Sequence, residues 1–496
     1  MSAHAASDAV SSDPGKAGGI PKQEDVTPKP VDPKKRHDMT WHDHLIMLLH
    51  MGASIEHALM VQYLYAAYSL GGEQVPEKHR PMIQEWQETI LAVAREEMGH
   101  LLTVQNILTL LGAGINLVRE NFPWDVKYYP FPFVLEPLTR ASLACYVYAE
   151  MPLHEKFDER KEIEKLASIH TQCDPVTGYE RPLHPVGEIY TEIIAVIGDS
   201  KRIPDSAFRD ESFSVQASWD DWGRGYKPDP RPLDDEGSLI DATPQKADQF
   251  RAHVMIDRVA TRTQALAALQ AISVQGEGPH GSEIDGEWSH FKRFIKMFRE
   301  FETIKDEPWS PSRPVPVNPN TLDDPKAPNR AGYIAQHTPS REWAELFNLR
   351  YRMLLTYLSH TFQVARVTRA DVPNVRAILM HRVFAEMYNL KTISGILVQL
   401  PLHAGDPGAV KSDTPRSGPP FEMPYNLRIP PAESDVWSLH LDILGSAQKL
   451  CRIILSKNPR PEDKAYLETL FDLDNQTRAW ITSILGGFGP GERCSA

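Results

Sequence analysis

The stretch Ala94 to Leu111, AREEMGHLLTVQNILTLL, places charge where a helix should place apolar surface. Ile83, Trp86, Ile90, Ala94, Leu101, Val104, Leu108 and Leu111 recur at the period of one helix face, so that face must be buried. Glu97 and His100 continue the same stripe, and both side chains are expected to point into a core. A buried carboxylate is costly unless it is paired or bound to a cation, and neutral imidazole is a common metal ligand. An inward Glu-x-x-His is half of a carboxylate-bridged two-metal site in a four-helix bundle. The expected fold class is therefore all-α, organised around such a bundle.

The rest of the ligand set has to come from neighbouring helices. Trp41 to Leu70 carries the stripe Leu45, Leu49, Ala53, Met60, Tyr63 and Ala67, with Glu56 on it; Gly71 and Gly72 stop this helix, and Pro81 suits the first turn of the next. A short loop of this kind makes the two helices antiparallel neighbours. The segment NFPWDVKYYPFPF, Asn121 to Phe133, is too rich in Pro and aromatic residues for regular helix and is expected to wrap the bundle. Leu138 to His154 is a further candidate helix, and 157 to 183 is a polar excursion. His184 to Ile197 predicts a third bundle helix, with Glu188 and Glu192 one turn apart. A polar loop follows from about Gly198 to Pro244. A fourth helical pattern from about Gln249 to Val274 breaks at QGEGPHGSEIDGE and resumes at Trp288, with Glu277 on one lip of the break and Glu287 and His290 on the other.

The expected metal ligands are thus Glu56, Glu97, His100, Glu188, Glu277, Glu287 and His290. Glu97 and His100 would anchor one ion, His290 with Glu287 or Glu277 the other, and Glu56 and Glu188 would bridge or close the site. Several neighbours have plainer roles. Glu96 reads as a surface partner of nearby cations, His57 as packing, and His42, His44 and His50 as capping or surface groups. Glu192 is the rival to Glu188, and Tyr63 and Tyr65 read as core. The Gly-rich break lacks the strand-turn-helix context of a phosphate loop.

At 496 residues the chain is long for one core, which predicts two domains. Residues 1–38 are polar, small and Pro-containing, the composition of a disordered tail. Residues 39–302 form the metal-binding bundle, and 303–340, with eight prolines, the linker. Residues 341–490 form a second helical bundle, through Trp343 to Val364, Val375 to Leu397, Val436 to Ser456 and Ala465 to Leu485. A net charge of −13 argues against sequence-independent nucleic-acid binding. Cys145, Cys173, Cys451 and Cys494 lack any finger-like spacing and read as reduced thiols. No apolar run is expected to reach membrane-spanning length, so a soluble, cytoplasmic protein without a membrane partner is expected.

The halves can be laid on each other. SIEHALMVQYL, Ser54 to Leu64, matches NLRYRMLLTYL, Asn348 to Leu358, and EEMGHLLTVQNIL, Glu96 to Leu108, matches AEMYNLKTISGIL, Ala385 to Leu397. In this register Glu56 becomes Arg350, His100 becomes Asn389, and Glu97 meets Glu386. The second half thus reads as a similar bundle that has lost its ligands.

IEHALMVQYLYAAYSL, EEMGHLLTVQNIL, NFPW...YYPFPF, the GEIY helix start and QGEG...EWSHF together resemble the ferritin-like domain of the iminophenylpyruvate dimer synthases, bacterial indole-alkaloid enzymes of violacein and rebeccamycin type. The GPPFEMPY loop, Gly418 to Tyr425, looks like stand-alone members of that group. The resemblance implies a ferritin-like bundle whose inward carboxylates and histidines match the residues already named. Those enzymes are larger and couple two oxidised amino-acid-derived imines; the haem associated with them is not carried over.

The expected function is oxidoreductase chemistry with two non-haem metal ions, iron or manganese, and oxygen or peroxide, on a small organic, amino-acid-derived substrate of secondary metabolism. Iron oxidation or storage is one rival, and a non-catalytic helical partner with a decayed site is another. The second half would cap the first bundle or mediate homo-oligomerisation.

Overall fold

The computed structural model describes residues 39–126, 129–152, 156–168, 186–222, 253–276, 288–323, 330–365, 374–403 and 414–487. The expected tail, most of the polar excursion, the polar loop from residue 223 onward, the Gly-rich break with Glu277 and Glu287, and Cys173 and Cys494 lie outside these residues. Among the described residues the chain is helical, with only isolated β-bridges such as Trp124 with Phe133.

Helix α1 (Trp41–Ser69) and helix α2 (Arg80–Leu110) form the antiparallel pair that their stripes predict. His42 near one end of α1 reaches the Leu111 carbonyl, and Gln87 near the start of α2 reaches the Ala67 carbonyl. Gly71 and Gly72 end α1 at φ of +87° and +116°, backbone that favours glycine, and Pro81 lies in the first turn of α2. By length and composition α1 could cross a membrane, which corrects the expectation that no run reaches that length; 67% of its most apolar window is buried in the protein.

Helix α3 (Arg140–Ala149) starts at a Thr139–Ser142 capping box and is buried from Ser142 to Ala149. After α4 (Arg160–Ala167), α5 (Gly187–Gly198) lies against α1, and the short α6 (Trp219–Trp222) follows. Of the helix expected from Gln249, the described residues 253–261 are not helical and α7 spans Arg262–Gln275, where Thr261 caps the backbone N–H of Gln264. Residues 253–259 run instead as an extended strap along α2. Asp257 N donates to the Thr103 hydroxyl, and Asn106 Nδ2 donates to the Asp257 carbonyl. Gly99 permits this approach, since a Cβ there would stand 2.6 Å from the Met255 carbonyl oxygen. Polar side chains of α2 outcompeted helix propensity in the strap by satisfying its backbone.

Helix α8 (His290–Phe301) packs on α3, and the rings of Tyr63, Tyr146 and Phe294 join α1, α3 and α8. The first bundle is therefore α1, α2, α3 and α8, flanked by α5 and α7. The second half contains α9 (Arg341–Thr361), α10 (Val375–Leu397), α11 (Glu433–Ser456) and α12 (Pro461–Gly487), close to the four predicted segments.

Residues 41–496 cluster as one compact unit. Tyr65 donates to the Pro316 carbonyl at 2.5 Å, and Arg416 N donates to the Pro314 carbonyl at 2.9 Å, so the Pro-rich segment packs against both halves. His57 pairs with Tyr351 at 2.5 Å, and Arg119 reaches both the Tyr351 hydroxyl and the Phe421 carbonyl. The aromatic wrap is non-helical as expected: Tyr129 stacks on Phe133 at 3.7 Å and donates to Gln62 of α1.

Candidate metal centre

Glu56 of α1, Glu97 and His100 of α2, Glu150 at the end of α3 and His290 at the start of α8 meet inside the first bundle, each at most 2% exposed. Glu56, Glu97 and His100 form one group able to hold a metal ion, and Glu97, Glu150 and His290 form another; within each, the donor atoms lie within 4.8 Å of one another. Glu97 is shared. Its Oε2 is 3.0 Å from His100 Nδ1 and its Oε1 is 2.8 Å from His290 Nδ1. Glu56 Oε2 is 3.5 Å from His100 Nδ1, and Glu150 Oε2 is 3.7 Å from His290 Nδ1.

The donor set fits metal ions on an observation of its own. Glu97 Oε1 and His290 Nδ1 are buried and 2.8 Å apart, yet neither makes an aligned hydrogen bond, and Glu56 Oε2 also lacks a partner. Buried polar atoms without hydrogen bonds are costly. Two donors bound to one cation at about 2.1 Å and roughly a right angle would lie about 3 Å apart, the spacing seen here.

Hydrogen bonds on the far side fix how the donors point. Tyr190 of α5 donates to Glu56, and Tyr63 of α1 donates to Glu150. His100 Nε2 lies 2.9 Å from Gln275 Oε1, and His290 Nε2 lies 2.9 Å from Glu96 Oε2. Both rings therefore turn Nδ1 toward the carboxylates.

Without cations the cluster carries its positive charge as protons. Burial, then repulsion from Glu97, pushes the Glu56 carboxyl up to about 8. Burial and Glu97 likewise raise Glu150. Although burial works against ionisation, His290 and His100 hold Glu97 well below the usual carboxylate range. Burial also opposes charge on the histidines, but the surrounding carboxylates lift His100 to about 10 and His290 well above its ordinary value.

Of the residues predicted from sequence, Glu56, Glu97, His100 and His290 come together. Glu188 does not. It lies on the exposed face of α5, because Ile189, Tyr190, Ile193, Val196 and Ile197 take the buried face. Its rival Glu192 pairs with His44 at 3.1 Å, away from the cluster. Glu277 and Glu287 lie outside the described residues. The carboxylate missed from sequence is Glu150, whose signal was an acid at the end of the otherwise buried helix LACYVYA. Glu97, rather than Glu56, is the carboxylate common to both donor groups. Glu96 is no surface group: it is fully buried, held by Arg293, His290 and the His253 N–H, and kept ionised down to about 2 despite its burial. His57 is buried packing as expected, and His44 is buried rather than at the surface.

The ferritin-like family profile matches residues 49–299, just over half of the chain and the stretch that holds every residue of the cluster. The chain belongs to the ferritin-like family. Among its relatives, dichlorochromopyrrolate synthase of Lentzea aerocolonigenes is 26% identical over 461 residues, 84% of this chain and 40% of that protein. The 2-imino-3-(indol-3-yl)propanoate dimerase of Chromobacterium violaceum is 31% identical over 131 residues, 21% of this chain and 13% of that protein. The expected resemblance to the violacein and rebeccamycin type enzymes thus stands, although the chain spans well under half the length of these relatives. A solved ferritin-like protein from Caulobacter vibrioides overlaps at 15% identity with a TM-score of 0.37, over 70% of this chain and 94% of that one.

Proposed function

We propose that this ferritin-like protein is a non-haem, two-metal oxidoreductase that uses oxygen or peroxide on a small amino-acid-derived substrate in secondary metabolism. The observation that carries this is the convergence of three carboxylates and two Nδ1 donors from four helices, with buried donor atoms left without hydrogen bonds. Glu56, Glu97 and His100 would hold one ion, and Glu97, Glu150 and His290 the other. Iron is the first choice and manganese the second, given the oxygen and imidazole donors. Ferrous iron held by these residues would supply the reducing equivalents for dioxygen or peroxide.

The protein's own groups do the rest. Tyr190 and Tyr63 hold the outer carboxylates in place, and Leu59 and Ile272 line the cleft beside the cluster and limit water. The substrate class is supported by the likeness to two proteins named for a chromopyrrolate and an indolyl imino acid. A cytoplasmic setting is supported by the free buried thiols Cys145 and Cys451.

Iron oxidation without an organic substrate is a second reading. It is favoured by the size of the cleft, about 10 Å³, roughly room for one water.

The test is elemental analysis of purified protein beside Glu97→Ala, followed by oxygen consumption after anaerobic ferrous loading. The expected result is about two metal ions per chain, absent from the variant, and oxygen uptake stimulated by aromatic imino acids. Metal-free protein even after loading would remove the proposal. Oxygen uptake that depends on added iron alone, with iron accumulating on the protein, would favour the second reading.

A further inference from the structure

The two groups of donors look alike until the far side of each imidazole is compared. Gln275 Nε2 donates to the His253 carbonyl at 2.9 Å, which turns Gln275 Oε1 toward His100. His100 Nε2, 2.9 Å from that oxygen, must be the donor, so this ring leans on a neutral amide. His290 leans on a carboxylate instead, with Nε2 at 2.9 Å from Glu96 Oε2. Glu96 is locked from two further directions: the His253 N–H donates to Oε1 at 2.9 Å, and Arg293 Nη1 reaches both oxygens at 3.0 and 2.9 Å. One residue of the strap, His253, thus orients both supports, its N–H serving Glu96 and its carbonyl serving Gln275.

An ionised acceptor makes the stronger hydrogen bond and leaves the opposite ring nitrogen more basic, hence a better ligand, than an amide acceptor does. Arg293 offsets the net charge of Glu96, so the effect acts through the hydrogen bond rather than through an extra negative charge at the cluster. Exposure to the cleft separates the two imidazoles in the same sense. Glu56, Glu97 and His100 all line it beside Tyr190; of the other group Glu97 and Glu150 line it too, but the imidazole of His290 does not and is fully buried.

We propose that the two positions are unequal by construction: the Glu97–Glu150–His290 position takes its ion first and more tightly, and the Glu56–Glu97–His100 position holds an exchangeable ion facing the cleft. Glu96 is the positioning residue that sets the difference. This rests on the two-metal function proposed above.

The experiment is an anaerobic calorimetric titration of the metal-stripped full chain with manganese(II), with free manganese counted by electron paramagnetic resonance. Wild type should show two binding events separated by about 10- to 100-fold in affinity, the range expected for an outer partner of a ligating histidine. Glu96→Gln should weaken the tighter event and merge the two. Gln275→Leu should weaken the looser event and widen the gap. A purely structural role would weaken both events together, and that outcome overturns the inference, as do two equal events in wild type. If Glu96→Gln does not fold, because Arg293 has lost its partner, the direction seen in Gln275→Leu decides. Wild type that takes up no manganese would remove the two-metal reading as well, whereas two equal events would leave that reading standing.

Discussion

The two bundles bury charge at matching places and neutralise it differently. In the first, carboxylates and imidazoles from four helices face one another, and among the described residues no Lys or Arg belongs to either donor group. In the second, Arg350 stands where the repeat register puts Glu56, and its Nη1 lies 3.2 Å from Glu386 and 2.9 Å from Asp474. Glu386 takes the place of Glu97, and Asn389, in the place of His100, donates to it at 3.1 Å. The second bundle supplies its cation covalently, as a guanidinium. The first depends on protons or ions from solution, so only the first can exchange its charge. A buried ion pair is weak evidence for stability in itself, but removing one partner strands the others.

The largest effect should come from stranding those acids. Arg350→Met leaves Glu386 and Asp474 unpaired and should destabilise the protein by about 3–5 kcal/mol in urea unfolding, whether or not metal is present. If adding metal rescued the variant, the second bundle would have kept an ion site and the contrast would fail.

The bundles should also respond oppositely to pH. His360 and His440, 3.2 Å apart in the second bundle, are lowered by burial to about 4 and about 3. The unfolded chain protonates first. Their contribution is therefore complete above about pH 6.5 and is lost as acid approaches the folded values, up to about 2 kcal/mol each by pH 5. In the metal-free first bundle, carboxylate neighbours hold His100 at about 10, and burial holds Glu56 at about 8. Their contributions are complete below the unfolded values and are lost as pH rises through the folded ones. Hydrogen exchange followed peptide by peptide should show α9 and α11 loosening in acid and α1 and α2 loosening in alkali. Replacing both His360 and His440 by leucine should remove only the acid arm.

Metal removal should act on one bundle. Saturating metal at 100 times its dissociation constant should stabilise the chain by about 2.7 kcal/mol, a gain that Glu97→Ala abolishes and Asn389→Ala does not. Thermal unfolding with and without chelator would measure it. The smallest signal is the protons displaced, at least those on the two imidazole Nδ1 atoms and on Glu56. An indicator-dye titration near pH 7 should show acidification on metal addition to wild type. No release would mean that the metal-free cluster is not charged by protons.

Much of the centre was legible in the sequence because helix periodicity fixes which side chains share a face. That was enough for Glu56 on the α1 stripe, Glu97 and His100 on α2, and the matching positions Arg350, Glu386 and Asn389. It failed where the question was which helix fills a place in the bundle. The segment at Glu188 has the stronger apolar pattern, yet α5 lies outside the cluster and lends it only Tyr190, while α3 brings in Glu150 from just past its last turn. Glu96 was misplaced for a related reason. The strap at 253–259 covers a face of α2 that periodicity alone assigns to solvent, and Gly99 is the one local sign that another backbone passes there.

The sequence by itself determined the all-α class, the antiparallel α1–α2 pair, the inward placement of Glu97 and His100 on one helix stripe, and the exchange of Glu56 for Arg350 between the halves. These follow from spacing along single helices, which the backbone geometry makes local. Only the tertiary structure decided that Glu150 completes the cluster, that His290 is backed by Glu96 and His100 by Gln275, and that Pro-rich segments lie against both bundles. Those are contacts between segments distant along the chain, chosen by which faces could be buried together, and no periodicity within one segment encodes them.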